Sequence, residues 1–413
     1  MTTAVATASD RRALLRNRNF MFLMAGRTTS NAGRSARVFA RAWLTLETTN
    51  SPFLLGVVTS SLSWPMLFMP FVGGVLADRI DRRKLLLFTE FSLAVLWTAV
   101  SIDIMLGWIH WSHLVVSGIL SGVIQSLGRP GHDAMVGTVV PKEQIPAAGA
   151  FDNAAEHWPR DIGLLVATLS IPFVGTGGIF WATAILQTIT FITLLMFKWD
   201  AKEMQEVQAK NRETSARGNF IDGLKHVKGE PVVLGLVLIA ASASLFAGGH
   251  GFMLPIFARD ILGGGQQTLG TMMIVQTLGT SLGAALVLMF INRGGRGKFL
   301  LAAIALYVAF LIGFAQSRIL FLSLGLLFCM GLSSTVTRTV MMTILQIMSP
   351  NHLRGRIMSL RVTVGGLGWI GTLILGGMAE VIGVPNTVIV SGIVYMVVAI
   401  LLYLQFRPLW RLN

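Results

Sequence analysis

Apolar residues in this chain fall into long blocks separated by short polar stretches. Strands would show strict alternation and a soluble amphipathic helix one narrow apolar stripe, and neither pattern dominates. Twelve blocks stand out, at 20–46, 53–77, 85–107, 112–138, 147–171, 175–197, 231–257, 266–291, 299–316, 319–346, 356–381 and 386–406. A run of about 20 apolar residues is what a helix needs to cross the hydrocarbon core. The blocks therefore predict an all-α membrane protein with twelve transmembrane helices. The longest polar interval, 198–230, holds Lys198, Asp200, Lys202, Glu203, Glu206, Lys210, Arg212, Glu213 and Arg217. It divides the chain into a six-helix bundle at 1–197, a solvated cytoplasmic linker at 198–230 and a second six-helix bundle at 231–413.

Composition agrees with this pattern. The 413 residues are 53% hydrophobic and 13% charged, with a mean hydropathy of +0.68, whereas soluble domains carry about 25% charged residues. The net charge of +14 raises the question of nucleic acid, and its distribution answers it. With the N-terminus in the cytoplasm, 23 of the 33 Lys and Arg residues fall in cytoplasmic segments, and only Arg259 and Arg318 fall in outer loops. This is the positive-inside bias. It predicts a multi-pass protein of the cell inner membrane with both termini cytoplasmic, in contact with lipid and not with nucleic acid. The single cysteine, Cys329, lies inside an apolar block and reads as a core residue. Arg11, Arg12, Arg16 and Arg18 precede the first block, and no cleavable leader is expected there.

Two internal correspondences indicate duplication. Asp78-Arg79-Ile80-Asp81-Arg82-Arg83-Lys84 follows the second block, and Asn292-Arg293-Gly294-Gly295-Arg296-Gly297-Lys298 follows the eighth. Shifted by 214 positions, Arg79, Arg82 and Lys84 meet Arg293, Arg296 and Lys298. Arg129 precedes Pro141 by twelve residues, as Arg338 precedes Pro350. Parallel repeats of this kind are a transporter architecture, with the substrate site near mid-membrane between the halves.

These motifs resemble the major facilitator superfamily over essentially the whole chain. Gly74 to Lys84 is similar to that family's loop between the second and third helices, with Asp81 where many members carry Gly. The Asp-Arg-Arg form is similar to the branch containing siderophore exporters and multidrug efflux pumps. So are Leu15-Arg16-Asn17-Arg18-Asn19-Phe20, Leu254-Pro255 and Arg354-Gly355-Arg356-Ile357-Met358-Ser359. The resemblance implies two pseudo-symmetric six-helix bundles and alternating access. Arg79, Arg82 and Arg83 are placed to clasp carboxylates across the halves as a cytoplasmic gate, a role the resemblance gives to Asp78 and Arg82; simple orientation of the loop by positive charge is the alternative. One departure is visible. Gly163-Leu164-Leu165-Val166-Ala167-Thr168 keeps only the first glycine of the Gly-Pro motif found on the fifth helix of proton-coupled exporters.

Apart from Arg356, which opens the eleventh block and is counted with its loop, eight arginines and no lysines lie within the blocks: Arg27, Arg34, Arg37, Arg41, Arg129, Arg160, Arg338 and Arg361. Guanidinium groups stay ionised, and a charge at mid-bilayer costs at least about 2.5–3.5 kcal/mol. Each must face water, a carboxylate or a substrate. Arg27, Arg34 and Arg41 recur every seven residues with Arg37 between them, forming one stripe on a helix. The candidate substrate-binding residues are Arg34, Arg37, Arg41, Arg129 and Arg338, together with His250 in the helix-weakening run Gly248-Gly249-His250-Gly251. The structural alternatives are pairing of these arginines with protein carboxylates or their ending in the headgroup zone, and for His250 a hydrogen bond between helices. Asp152, Glu156 and Arg160 share one face of the fifth block. Glu156 and Asp152 are the candidate proton-coupling groups; the alternative is an Arg–carboxylate lattice joining this block to the first. Glu90 and Asp103 are placed nearer the ends of the third block and read as solvated or structural. Trp64 and Trp158 read as packing residues, with stacking on a substrate as the alternative.

Gly366-Leu367-Gly368-Trp369-Ile370-Gly371 matches a dinucleotide fingerprint in form only, because no strand precedes it. There is no phosphate-loop lysine motif, no cluster with metal-site spacing and no nucleophile–base arrangement, so neither an enzyme nor a cofactor is expected. The expected function is secondary active, proton-coupled export of a small amphipathic compound, a drug or an acidic siderophore, by a monomer. A lipid flippase of the same fold and a non-transporting membrane sensor or assembly partner are the alternatives.

Overall fold

The computed structural model describes residues 13–65, 69, 82–141, 144–197, 230–290, 296–348 and 364–406. Among them every regular element is helical. The backbone cannot bond to lipid, so each spanning segment must satisfy its own N–H and C=O groups. Helix α1 spans Arg18–Thr49 and α2 spans Pro52–Ser61. They are followed by α3 (Arg82–Met105), α4 (Trp111–Val139) and the 52-residue α5 (Ile145–Met196). In the second half α6 (Pro231–Ser242) leads through a π-helical turn, Ala243–Ala247, into α7 (His250–Ile256) and a second π turn, Phe257–Ile261. The remaining helices are α8 (Gln266–Phe290), α9 (Arg296–Gln316), α10 (Leu320–Met348), α11 (Gly368–Ile382) and α12 (Val384–Gln405).

These elements account for part or all of the twelve expected spans. Helix α5 covers the fifth and sixth, because Gly175 interrupts it with φ 64° and ψ −179°. A side chain would be strained there, so glycine permits the reversal at the boundary the hydropathy pattern predicts. The seventh span is α6, α7 and their π turns. Gly248 N–H bonds Ala243 O, five residues back, at 3.2 Å. Weak helix formers at Gly248 and Gly249, and Pro255 without an N–H, explain the irregular ladder. Among the described residues seven helical stretches are long and apolar enough to cross a membrane. Helix α1 has 32 residues but is not one of them, since Arg27, Arg34, Arg37 and Arg41 lie along it.

Polar side chains inside the spans largely bond to their own helices. Thr89 donates to Leu86 O, Ser101 to Trp97 O, Ser126 to Gly122 O and Thr168 to Leu164 O, all at 2.7–2.8 Å. That satisfies each hydroxyl without another helix.

Packing divides the chain into two compact units, Met1–Leu44 with Ser61–Ser215 and Thr45–Ser60 with Ala216–Asn413. The expected linker, apart from Glu230, lies outside the described residues. In the first unit Leu14, Phe20, Leu23, Leu86, Met135, Leu194 and Phe197 form one buried cluster. In the second, the Phe257 and Phe314 rings lie with centroids 4.5 Å apart, tilted by 40°, both fully buried. Large apolar side chains also point outward: Phe173, Phe321 and Val381 are 83–86% exposed, which suits a surface solvated by acyl chains. With lipid as solvent, helices associate through close van der Waals contact at small residues. Gly122 on α4 abuts Leu62 O, and Gly331 on α10 abuts Gln276 O. Leu62 and Gln276 are 214 positions apart, the same shift that superimposes the two basic loops. The duplication thus extends to a matching glycine contact in each unit.

Candidate functional site

Helix α1 and the first half of α5 are zipped together. Gly163 lies against the Ala32 backbone, and this close approach brings polar groups into register on either side. Arg27 Nε lies 3.1 Å from Asp152 Oδ1, and Arg27 Nη2 lies 3.0 Å from Glu156 Oε2. Arg160 Nη2 meets the other Glu156 oxygen at 2.9 Å. Asn31 Nδ2 donates to Ala155 O at 3.1 Å, and Ser35 Oγ to Arg160 O at 2.6 Å. The candidate coupling acids therefore sit in an arginine–carboxylate lattice joining the two helices.

Beside this lattice is a small cavity of about 120 Å³. Its lining includes Arg27, Arg34, Arg37, Arg160, Glu90 and Glu156, with Gln125 and Gln187. Four guanidinium groups against two carboxylates give the lining a formal charge of +2. Arg37 is 6% exposed and its guanidinium stacks on the Trp97 ring at 4.6 Å, a cation–π contact. Its Nη1 has no hydrogen-bond partner among the described residues. From α3, Glu90 enters the cavity and accepts a hydrogen bond from Gln187 Nε2.

The arginine stripe does not act as a unit. Arg34 and Arg37 line the cavity and Arg27 joins the lattice, but Arg41 is outside the lining. It is buried, and its Nη2 donates to Ser61 Oγ at 2.7 Å and to Leu114 O at 2.6 Å. Arg129 lies in α4 with its side chain outside the description. Asp78 and Arg79 of the expected gate are also outside the described residues, and Arg82 opens α3 with its side chain undescribed. Arg83 Nη2 approaches Phe197 O at 3.4 Å.

A separate cavity of about 540 Å³ lies in the second unit. His250 and Arg338 line it, with Gln276, Tyr307 and Tyr395. His250 Nδ1 is 3.0 Å from Ala247 O, the carbonyl at the end of the π turn, and 3.2 Å from Tyr307 Oη; Nε2 is 2.8 Å from Gln276 Nε2. Tyr307 Oη donates to Ala247 O at 2.7 Å. A proton on Nδ1 given to Ala247 O, with Nε2 accepting from Gln276, satisfies the ring in its neutral form. Arg338 is exposed into this space and makes no hydrogen bond or ion pair among the described residues.

Sequence reasoning missed Glu90, Gln187, Trp97, Gln276, Tyr307 and Tyr395. For Glu90 a signal existed. It is eight residues into α3, about 12 Å along the axis, which is well inside the helix. The others are ordinary span residues until neighbouring helices give them partners. Trp158, read as a packing residue, is 72% exposed.

Comparison with known proteins agrees with this architecture. The transmembrane secretion effector family matches residues 10–411. The chain is 23% identical over 373 residues to the staphyloferrin A transporter of Staphylococcus aureus, covering 89% of this chain and 91% of that one. It is 24% identical over 366 residues to the enterobactin exporter EntS of Shigella boydii, covering 88% and 86%. Among solved structures, the nucleoside transporter NupG superimposes with a TM-score of 0.71 at 14% identity, covering 96% of this chain and all of that one. A bacterial homologue of the human lysosomal transporter Spinster gives 0.71 at 13% identity, covering 98% of each. At such identities the structures show the fold alone. The relatives and solved structures found are transporters and not enzymes. A match over nearly the whole chain, on described elements that are all helical, makes this protein a member of the transmembrane secretion effector family of major facilitator superfamily transporters.

Proposed function

We propose that the protein exports a small amphipathic compound bearing acidic groups, of siderophore type, across the inner membrane in exchange for protons by alternating access. The observation that carries this reading is the cavity of the first unit, with its formal charge of +2 and a buried guanidinium at Arg37 that has an uncommitted donor. An anion entering it replaces lost hydration with fixed positive charge, which is how a site inside hydrocarbon can hold an acid. The relatives named for siderophore transport and export support the same substrate class. The carboxylates in the cavity supply groups able to carry protons, and the larger cavity with His250 and Arg338 offers further polar contacts to substrate. The gate in this reading is formed by Asp78, Arg79, Arg82 and Arg83.

Reconstitution tests the proposal. Proteoliposomes holding the purified protein should accumulate a radiolabelled catecholate or hydroxycarboxylate siderophore when a pH gradient is imposed, and dissipating the gradient should stop it. Transport of lysophospholipid in the same vesicles, with no flux of siderophore, would replace the proposal with a lipid flippase.

A further inference from the structure

We propose that Glu90 is the exchangeable proton site of the first unit, and that a proton and a hydrogen-bond donor on the substrate compete for its Oε1. This rests on the proton-coupled reading above and assigns the residue that performs it.

The alternative carboxylates are already committed. Protonating Glu156 would disrupt contacts to both Arg27 and Arg160, and protonating Asp152 would disrupt its contact to Arg27. The Arg27 contacts also join α1 to α5, so discharging them would loosen the helix pair at every cycle. Glu90 has no ion pair within 4 Å among the described residues. Its one hydrogen bond comes to Oε2 from a neutral amide, Gln187 Nε2. Gln187 is 1% exposed, so it holds the carboxylate in place, whereas Glu90 itself is half-buried and lines the cavity. Oε1 makes no hydrogen bond among the described residues. A proton can therefore be added there without breaking a contact.

The charged groups sharing this cavity are Arg27, Arg34 and Arg37 from α1 and Glu156 and Arg160 from α5, with neutral Gln125 from α4 and Gln187 from α5. Arg37 is within electrostatic reach of both Glu90 and Arg34. Its uncommitted Nη1 and the open Glu90 Oε1 lie in the same compartment: one donor fork for an acid, one acceptor for a hydroxyl or amine. A ligand carrying both an acidic group and a donor group uses both. When its hydroxyl or amine donates to Oε1, the O–H bond on that oxygen must already have broken, and the proton has passed to water on the side from which substrate entered. After release on the other side, a proton from water there forms the O–H bond again. One proton moves against one substrate, with no other reactant.

The test needs two readouts. Purified protein in nanodiscs is examined by pH-difference infrared spectroscopy for the C=O stretch of a protonated carboxyl, in the wild type, Glu90→Gln and Glu156→Gln. Proteoliposomes containing a trapped pH dye then report proton movement driven by a gradient of 3,4-dihydroxybenzoate, with benzoate as the same acid lacking the donors. Glu90→Gln is expected to lose the carboxyl band and to reduce dihydroxybenzoate-driven proton movement at least tenfold, with exchange of labelled for unlabelled probe reduced less, because the amide keeps an oxygen that accepts from the probe but cannot take up a proton. Glu156→Gln is expected to keep the band, and benzoate to move no more protons than it does in liposomes without protein. Gln187→Leu keeps the carboxylate but frees it, so the band should remain with a displaced midpoint; this variant also serves if Glu90→Gln does not fold. A band and proton movement unchanged in Glu90→Gln would overturn the assignment, and their loss in Glu156→Gln would move the proton site to α5 with coupled export intact. A wild type that shows the Glu90 band but no probe-driven proton movement would instead overturn coupled export and leave the protonation site standing.

Discussion

Gly163→Ala is the most direct probe of how the site is built. A methyl group at this position would lie 2.8 Å from both the carbonyl carbon and the Cα of Ala32, and closer still to Ala32 O. Carbon atoms pack at about 3.5–4.0 Å, so α1 and α5 must separate by most of an ångström, and backbone cannot rotate away as a side chain can. Overpacking of this kind costs about 1–3 kcal/mol. The separation also stretches the Asn31–Ala155, Ser35–Arg160 and Arg27–Glu156 contacts, now 2.6–3.1 Å, each worth about 1 kcal/mol. Against this, Ala is the better helix former by about 1 kcal/mol. The net expectation is a loss of about 1–4 kcal/mol, with weaker acid binding because Arg34 and Arg37 shift with α1. Gly149→Ala is the matched control. It lies in the same helix with open space around it, so only the propensity gain remains and stability should rise. Equilibrium unfolding of both variants in mixed micelles gives the comparison. Equal stability of Gly163→Ala and Gly149→Ala would refute the close helix crossing.

Other substitutions separate roles within the two units. Arg34→Ala and Arg37→Ala should each weaken equilibrium binding of an acidic probe about 10–100-fold, equivalent to about 1.4–2.8 kcal/mol, whereas Arg41→Met should lower the melting temperature with little change in that affinity, because Arg41 bonds Ser61 and Leu114 O. Tyr307→Phe removes the hydroxyl bonds to Ala247 O and His250; a loss of about 1 kcal/mol should appear in micelle unfolding, with faster amide exchange at the π turn. Glu380→Gln should destabilise α2 by about 0.5–1 kcal/mol, since its carboxylate accepts from Ser51 Oγ and from the Phe53 N–H in the first turn of that helix; a melting temperature unchanged at low salt would rule out this cap.

Much of the architecture was legible because the membrane imposes a local rule. Each apolar block must be long enough to cross, each loop charge must find water, and a helix reversal needs a residue that tolerates it. Gly175, at the start of the sixth block, is such a residue. The lattice among Arg27, Asp152, Glu156 and Arg160 was also within reach as an alternative, because a four-residue spacing places the acids on one face and buried arginines demand partners.

The arginine stripe marks the boundary of such reasoning. Reading the chain alone fixed that four guanidinium groups lie along α1 and that something other than lipid must surround them. It placed Arg27, Arg34 and Arg41 on one stripe from their seven-residue period and grouped Arg34, Arg37 and Arg41 as substrate contacts. A straight helix drifts by about 20° per heptad, so Arg27 and Arg41 differ by about 40° in direction and meet different helices. Packing then gave Arg27 to the acids of α5, stacked Arg37 on Trp97 and sealed Arg41 against Ser61 and Leu114 O. Glu90 gained its place in the cavity the same way, from Gln187 almost a hundred residues distant. Hydropathy and charge are summed along one dimension and survive without a fold; the choice of partner depends on the angles and spacings at which helices cross, which exist only once they have packed.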